Sequence, residues 1–347
     1  YIITWYNVSM IGKKLGIDLG TANSVVYVQG EGIIFVEPTV VAIDVNSYKV
    51  IAVGTEAKEM IGKTPDNIVA KRPLRNGVIA DSRVTEALLK YFFDKALGKA
   101  RFFKPDVVIS VPAGITTVEQ RAVLKAANSA GAKNITLLPE PLLAALGAGM
   151  PIETSSGNMI VNMGGGTAEI AVLSLDGIVK YESLRVAGDA INEAIITYMR
   201  KKKGVLIGEQ TAEKVKFEIG SALEMSKPLE MEVRGRDIGA GVPKAIMVNS
   251  NDIAQAVKSP LKKIILAIKG VLEQTPPELS ADIIDRGMVI SGGTALLRNI
   301  DRLIAKATGV PAHVANEPIY CVAKGTGIAL ELITSGKRVF VFEKSIT

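Results

Sequence analysis

The sequence predicts an α/β fold made of two similar halves. Residues 13–35 (KKLGIDLGTANSVVYVQGEGIIF) and 157–179 (GNMIVNMGGGTAEIAVLSLDGIV) repeat one pattern: an apolar strand, a Gly/Thr turn, a second apolar strand, another turn and a third strand. The two turns, DLGT and NMGGGT, begin 144 residues apart. After each hairpin, strands alternate with amphipathic segments, which predicts right-handed crossovers and a mostly parallel sheet. The repeat indicates a duplicated half-domain.

In the first half, short strands continue to Val53 after the hairpin. Helices are predicted over 56–62 and 84–99, the second with Asp81 or Ser82 as its N-cap. A buried strand over 107–112 precedes a helix over 118–131 that ends at a glycine. The strand NITLLPEP then leads into the apolar helix LLAALGAG.

The second half repeats this order with more helix. Helical patterns cover 189–203 and 209–223, and a strand-rich stretch follows over 229–248. One long helix is predicted over 251–273, and the strand 287–293 is predicted to open into a helix from Ala295. Because no flexible linker separates the halves, we expect them to pack closely around a cleft.

Composition excludes several kinds of function. The chain has 347 residues, of which 48% are hydrophobic and 22% charged, with a net charge of +6. That charge is too mild to indicate nucleic acid but suits anionic lipid head groups. A single cysteine, Cys321, excludes an internal disulfide framework and fits a reducing cytoplasm, and a single histidine, His313, excludes a His-rich metal site. No apolar run reaches the roughly 18 residues that cross a bilayer.

The paired glycine turns predict a phosphate site. Glycines allow backbone N–H groups to converge on an anion without side chains in the way. Neither turn is followed by the Gly-Lys-Ser/Thr of a P-loop. One such turn is as consistent with a tight hairpin as with a site, but two matched turns favour a cradle that holds a polyphosphate from both sides. The candidate residues are Gly20, Thr21, Ala22, Asn23, Gly164, Gly165, Gly166 and Thr167.

Further residues extend the candidate site. The motif SGGTALL, beginning at Ser291, follows an apolar strand, where glycines admit a phosphate or a planar ring, although a plain helix start is the alternative. Asp18 on the first turn is placed to hold Mg²⁺ through water. Glu140, in the strand-end PEP, is placed to position a water for attack, with a solvated loop acid as the alternative.

Taken in order, these motifs resemble the actin-fold ATPases, and within them the MreB family of bacterial actins. The resemblance runs from about Leu15 to Glu331. It includes GIDLGTAN, VVISVPAGIT, NMGGGTAEIAVLSL and SGGTALL. Two further strings, RPLRNGVIAD and GEQTAEKVKFEIGSA, distinguish this family from the chaperones that share the fold.

The resemblance implies an actin-like fold, with two ribonuclease-H-like halves around a nucleotide cleft. Residues 1–148 with 320–347 would form the first half, with a smaller subdomain over about 32–79. Residues 149–319 would form the second half, with a smaller subdomain over about 187–250. ATP would close the cleft and favour head-to-tail assembly into paired antiparallel protofilaments on the inner face of the membrane, with membrane morphogenesis proteins as possible partners. Hydrolysis would favour disassembly.

The resemblance also implies a role for each matching residue. The two turns would bind the phosphates of ATP or ADP, and Glu140 and Thr167 would orient the attacking water. Asp18 and the residue at position 162 would hold Mg²⁺ through water. The contacts to ribose and adenine would come from Glu213, Lys216, Gly292, Gly293 and Thr294.

One position departs from the family pattern. The second phosphate loop usually begins with aspartate, but this chain has Asn162. Asparagine keeps an acceptor oxygen and loses the negative charge, so the outer shell of the metal has one fewer carboxylate. We therefore expect ATP to bind and its hydrolysis to be slow. A smaller departure is Ala187 in RVAGD, where glycine is usual.

Adjacent aromatic residues suggest a membrane contact. Phe102 and Phe103 lie in GKARFFKPD, flanked by Lys99, Arg101 and Lys104. In a loop this pattern is typical of shallow insertion beside anionic lipid. The alternative is that both rings fill the core below the next strand.

Other functions are consistent with parts of the pattern. A small-molecule kinase of this fold needs a catalytic aspartate in a sugar-binding segment, and no convincing candidate is present. A chaperone switch needs a peptide-binding domain after the ATPase, whereas this sequence stops at Thr347. A polymer scaffold that binds nucleotide without hydrolysing it remains the main alternative because of Asn162.

Overall fold

A computed structural model describes residues 13–98, 104–336 and 343–345. The strands are β1 (Lys14–Leu19), β2 (Asn23–Val28), β3 (Gly32–Pro38), β4 (Val41–Asp44), β5 (Val50–Val53), β6 (Ile68–Lys71), β7 (Leu74–Arg75), β8 (Val78–Ile79), β9 (Asp106–Val111), β10 (Ile135–Pro139), β11 (Asn158–Met163), β12 (Ala168–Ser174), β13 (Gly177–Leu184), β14 (Val205–Leu206), β15 (Glu230–Asp237), β16 (Pro243–Asn249), β17 (Met288–Ser291), β18 (Ala312–Val314) and β19 (Glu343–Ser345). The helices are α1 (Thr55–Met60), α2 (Ser82–Leu97), α3 (Thr117–Ser129), α4 (Glu140–Gly147), α5 (Gly188–Tyr198), α6 (Glu209–Ile219), α7 (Ser250–Ala256), α8 (Lys258–Gln274), α9 (Pro277–Arg286), α10 (Ile300–Thr308) and α11 (Cys321–Thr334).

The two main sheets have the same topology. The first has the order β19-β10-β9-β1-β2-β3, and the second has the order β13-β12-β11-β17-β18. In each half the first three strands form an antiparallel meander; one later strand pairs in parallel with its first strand, and a second pairs in parallel with that later strand. Strand β19 adds an antiparallel edge to the first sheet. This shared order confirms the duplication that the repeated hairpins predict.

Each main sheet is covered by helices on both faces. Alternate residues of β9 point to opposite sides, so Ile109 packs with α2 and α3, whereas Val108 packs with α4 and α11. Strand β11 alternates in the same way, with Val161 facing α5 and α8 and Ile160 facing α4 and α11. Helices α4 and α11 therefore lie between the two sheets and belong to one hydrophobic cluster with both.

The two central helices, α4 and α11, are so close that their backbones are in contact. A Cβ atom built on Gly147 of α4 would lie 1.8 Å from the carbonyl oxygen of Cys321 on α11. A Cβ atom built on Gly325 would lie 1.9 Å from the carbonyl oxygen of Leu143. Only glycine fits at these two contacts, because any side chain would separate the helices.

Two small three-stranded sheets lie outside the main ones. Strands β5-β4-β6 form one within the first half, and β14-β15-β16 form the other within the second half. They fall inside the ranges predicted for the smaller subdomains, about 32–79 and 187–250. The exact boundaries of the halves and subdomains remain predictions.

Three predicted helices differ in the structure. The helix expected over 251–273 is divided into α7 and α8, since Pro260 has no N–H for the carbonyl of Ala256 and so interrupts the helical hydrogen bonds there. The helix expected over 189–203 ends as α5 at Tyr198 and continues as a π-helical turn over Met199–Lys203. The helix expected from Ala295 is a short 3₁₀ turn over Gly293–Leu296, and α10 begins five residues later than predicted.

Candidate functional site

A single cleft brings the predicted site residues together. It lies between the two halves and opens to solvent. Every candidate site residue within the described residues lines it: Asp18, Gly20, Thr21, Ala22, Asn23, Glu140, Asn162, Gly164, Gly165, Gly166, Thr167, Glu213, Lys216, Gly292, Gly293 and Thr294.

The two glycine turns face each other across this cleft. A Cβ atom built on Gly165 would lie 2.6 Å from Cβ of Ala22, and one built on Gly166 would lie 2.6 Å from Oγ1 of Thr21. That hydroxyl oxygen also accepts a hydrogen bond of 2.9 Å from the backbone N–H of Gly77. Glycine is required at both positions because side chains would force the turns apart. The arrangement leaves backbone groups of both turns accessible to a ligand.

Asp18, the second-last residue of β1, is half-buried and lines the cleft. Burial raises the pKa of this carboxyl to about 6, and a hydrogen bond of 3.0 Å from the Ser110 hydroxyl to Oδ1 lowers it in part. Protein groups therefore stabilise this carboxylate poorly in its charged form. A cation would compensate for this deficit.

Glu140 is the first residue of α4 and is buried, which excludes the alternative of a solvated loop acid. Burial raises its pKa well above the usual range, and the negative charges of Glu169 and Asp18 raise it further. Its Oε2 accepts a weak hydrogen bond of 3.4 Å from Nδ2 of Asn162. Three acidic side chains therefore influence one another beneath the cleft.

Asn162 is buried at the end of β11 and joins two parts of the site. Its Oδ1 accepts a hydrogen bond of 3.0 Å from the Ser291 hydroxyl, while its Nδ2 points to Glu140. An aspartate here would put a second carboxylate oxygen where the amide now donates to Glu140. Asparagine thus removes a repulsion between like charges in a buried site.

Glu169 is a buried acid that the sequence analysis missed. Its Oε2 accepts a hydrogen bond of 3.0 Å from the backbone N–H of Ala113, and its Oε1 accepts one of 2.6 Å from the Ser183 hydroxyl. Burial raises its pKa to about 7, and these bonds lower it in part. Glu169 ties the loop after β9 of the first half to the second sheet. The sequence signal for Glu169 is that it is the one charged residue in β12, whose other residues are apolar except for the last. In the structure every residue of β12 is buried.

Helix α6 lines the cleft with Glu213 and Lys216. Lys216 Nζ donates a hydrogen bond of 3.2 Å to the carbonyl of Gly188, and burial lowers the pKa of its ammonium. Glu213 forms an ion pair of 2.8 Å with Lys58. Next to them, the Thr294 hydroxyl donates a hydrogen bond of 2.7 Å to the carbonyl of Gly164, which joins the SGGTALL segment to the second glycine turn.

The donor set of the cleft fits Mg²⁺ bound together with a phosphate ligand. Mg²⁺ commonly takes one or two carboxylates and completes its shell with waters and phosphate oxygens. Over residues 13–98 and 104–336, no three acidic, His or Cys side chains are close enough to hold a metal by themselves. Asp18 and the Asn162 carbonyl are therefore suited to an outer shell rather than to a metal cage made of protein alone.

The predicted membrane loop cannot be placed. Phe102 and Phe103 lie outside the described residues. Among the helices that the structure does describe, none is long and apolar enough to cross a membrane.

Sequence comparisons agree with the motifs. The family model described as "MreB/Mbl protein" matches residues 12–338. The cell shape-determining protein Mbl of Bacillus cereus is 51% identical over 324 residues, covering 93% of this chain and 97% of the relative. The cell shape-determining protein MreB of Escherichia coli K12 is 50% identical over 330 residues, covering 93% of this chain and 95% of the relative.

Structural comparisons agree with the fold. MreB 5 of Spiroplasma citri bound to AMPPNP superposes with a TM-score of 0.89 at 36% identity, covering 94% of this chain and 98% of that one. The MamK double helical filament has a TM-score of 0.76 at 22% identity, covering 92% and 98%, and supports the fold alone. The actin-like fold predicted from the motifs is confirmed, and the chain belongs to the MreB/Mbl family.

Proposed function

We propose that this protein binds ATP with Mg²⁺ in the cleft, assembles into filaments and hydrolyses ATP slowly, and that it acts in this way in cell-shape control. The observation that carries the proposal is the meeting of two glycine turns, one from each half, with no room for side chains between them. MreB 5 of Spiroplasma citri bound to AMPPNP and to ADP supports adenine nucleotides as the ligands. Relatives named as cell shape-determining proteins support the biological role.

In this proposal the two turns bind the phosphates from opposite sides. Backbone N–H groups over 20–23 and 165–167 donate to the phosphate oxygens, and the Thr21 and Thr167 hydroxyls border the same space. Asp18 and the carbonyl of Asn162 would hold Mg²⁺ through water. Mg²⁺, when bound, neutralises negative charge on the phosphates.

Glu140 and Thr167 orient the attacking water. The raised pKa of Glu140 makes its ionised form a better proton acceptor than an exposed glutamate. The Glu140 carboxylate also accepts the hydrogen bond from Asn162, which makes it a weaker proton acceptor and so opposes this role. Together with the missing charge at position 162, this bond supports slow hydrolysis.

The effect of Asn162 is tested by steady-state phosphate release. We expect Asn162→Asp to raise the rate about tenfold or more, because groups around a metal's ligands commonly change activity by about 10–100-fold. Asn316→Asp is the control, since this exposed asparagine does not line the cleft. An unchanged rate in Asn162→Asp contradicts the role assigned to position 162.

Asn162 also favours a second candidate, a scaffold that binds nucleotide and polymerises without hydrolysis. The same assay separates the two functions. The scaffold predicts filaments with ATP and no phosphate release from the unmodified protein above that of a Glu140→Ala variant. The proposed slow ATPase predicts release that Glu140→Ala abolishes.

Assembly is tested by electron microscopy with ATP, with ADP and without nucleotide. We expect head-to-tail protofilaments paired in antiparallel orientation with ATP, and fewer with ADP. Absence of filaments in all three states, at concentrations where nucleotide binds, would contradict the polymer function.

The inner face of the cell membrane is the proposed location, with anionic lipid as the direct contact and membrane morphogenesis proteins as further partners. Phe102 and Phe103 carry this part of the proposal. Pelleting with anionic liposomes should fall in the double variant Phe102→Ser, Phe103→Ser. Pelleting equal to that of the unmodified protein rejects this loop as the contact.

A further inference from the structure

An ion pair joins the two halves beside the cleft. Lys58 lies on α1, beside the small sheet of the first half, whereas Glu213 lies on α6 of the second half. Lys58 Nζ is 2.8 Å from Glu213 Oε2. Glu213 lines the cleft but Lys58 does not, so the lysine reaches the carboxylate from outside the ligand space.

The main chain of Lys58 is also fixed to α6. The side-chain amide of Gln210 donates hydrogen bonds of 2.8 Å to the carbonyl of Lys58 and 3.4 Å to the carbonyl of Ile61. The Lys58 carbonyl also accepts a bond of 3.2 Å from the backbone N–H of Ile61, so Gln210 adds a second bond at the end of α1. The base of the lysine side chain is therefore held in place, and its ammonium needs little further ordering to reach Glu213.

Glu213 has capacity left for a ligand. Its side chain is 14% exposed, and Lys58 occupies one of its two carboxylate oxygens. Over the described residues, no protein group other than Lys58 donates a hydrogen bond to this carboxylate. An ionised carboxylate accepts several hydrogen bonds, and the hydroxyls of a ribose are suitable donors.

We infer that Lys58 is a positioning residue for the ribose of the nucleotide. It reaches across from the first half and holds the Glu213 carboxylate in the orientation that accepts the ribose hydroxyls. This inference rests on the proposed function, since it requires an adenine nucleotide in the cleft. It means that the sugar, like the phosphates, is bound fully only when both halves are in place.

A second ion pair across the cleft provides the comparison. Arg72 of the first half contacts Asp189 Oδ1 at 3.0 Å and Glu209 Oε1 at 2.6 Å, both on the second half. It does not contact Glu213. Loss of Arg72 should loosen the contact between the halves without acting on the ribose site, whereas loss of Lys58 should act on the ribose site.

The experiment compares ADP with 2′,3′-dideoxy-ADP, which lacks both ribose hydroxyls. Dissociation constants are measured by calorimetry for the full chain and for Lys58→Met, which keeps most of the side-chain length and removes the charge. We expect Lys58→Met to weaken ADP binding about 3- to 10-fold, the effect of ordering one side chain on binding, and to leave dideoxy-ADP unchanged. Lys63→Met is the matched control, because this nearby lysine is exposed and takes part in no ion pair among the described residues.

Each other result decides against part of the proposal. Equal weakening of both ligands by Lys58→Met, as we expect for Arg72→Gln, would mean that Lys58 only holds the halves together. No weakening of ADP binding, or equal affinity of the unmodified protein for both ligands, overturns the ribose contact and leaves nucleotide binding intact. Failure of the unmodified protein to bind ADP overturns the proposed function itself. Circular dichroism establishes that the variants are folded.

Discussion

Asp18→Asn should make the nucleotide-free protein more stable at neutral pH. The carboxyl has a pKa of about 6 in the folded protein and a usual value of 3.8, because burial disfavours its charged form. Above pH 6 the folded protein must carry this charge at a cost that the unfolded chain avoids. Asparagine has the same shape, carries no charge and keeps an oxygen that accepts the bond from Ser110.

The size of the effect follows from the two pKa values. A difference of about 2 pH units corresponds to about 3 kcal/mol of folding free energy, as an upper limit because the side chain borders the water of the cleft. The folded-state pKa is raised, so the folded state binds more protons than the unfolded state between pH 3.8 and 6. Stability of the unmodified protein therefore falls as pH rises through this range, whereas Asp18→Asn lacks this fall.

Urea unfolding followed by circular dichroism, at pH 4 and pH 7.5 with EDTA and without nucleotide, tests this reasoning. The two proteins should unfold at similar urea concentrations at pH 4, and the variant at a higher concentration at pH 7.5. Asp66→Asn is the control, since this exposed acid lies outside the cleft. Equal midpoints at pH 7.5 would show that the buried Asp18 charge carries no cost. Added Mg²⁺ and ADP should stabilise the unmodified protein more than the variant.

Two further predictions concern glycines at close contacts. Gly165→Val should weaken ADP binding about tenfold or more in calorimetry, since its side chain would meet Ala22, part the two turns and remove at least one hydrogen bond to phosphate; unchanged affinity would contradict the two-sided cradle. Gly325→Ala should lower stability by about 1–3 kcal/mol in urea unfolding, because its Cβ would collide with the carbonyl of Leu143. Gly270→Ala on α8 is its control, as a Cβ there meets no atom within 4 Å, and a loss equal to that of Gly325→Ala would refute the collision.

The sequence was sufficient to predict the duplicated sheets and most of the cleft. Both depend on local patterns, since a hairpin with a glycine turn is encoded within about 20 residues and its repetition shows that two copies exist. The Asp81 cap of α2 is equally local, and its side chain accepts the bond from Val84 N–H at 3.2 Å as the pattern predicts. The break between α7 and α8 was not predicted, although Pro260 is the local signal that marks it.

Contacts between segments that are distant in the sequence could not be predicted from local patterns. Lys58 and Glu213 meet only because two small subdomains fold toward each other, and neither residue stands out in its own helix. The buried state of Glu140 depends on the packing of α4 between two sheets rather than on the PEP motif around it. Glu169 was missed because its partners, Ala113 and Ser183, come from different halves.

The glycine contacts between α4 and α11 affect how the protein can move. Interlocking side chains resist sliding, whereas at these two points a helix backbone rests against a bare glycine of its neighbour. Small sliding of packed helices is one of the ordinary ways in which domains shift relative to each other. Since this helix pair lies between the two sheets, a displacement of one helix along the other would shift the sheets relative to each other. The two glycines therefore mark the place in the fold where we expect the halves to change their relative position when a ligand binds in the cleft.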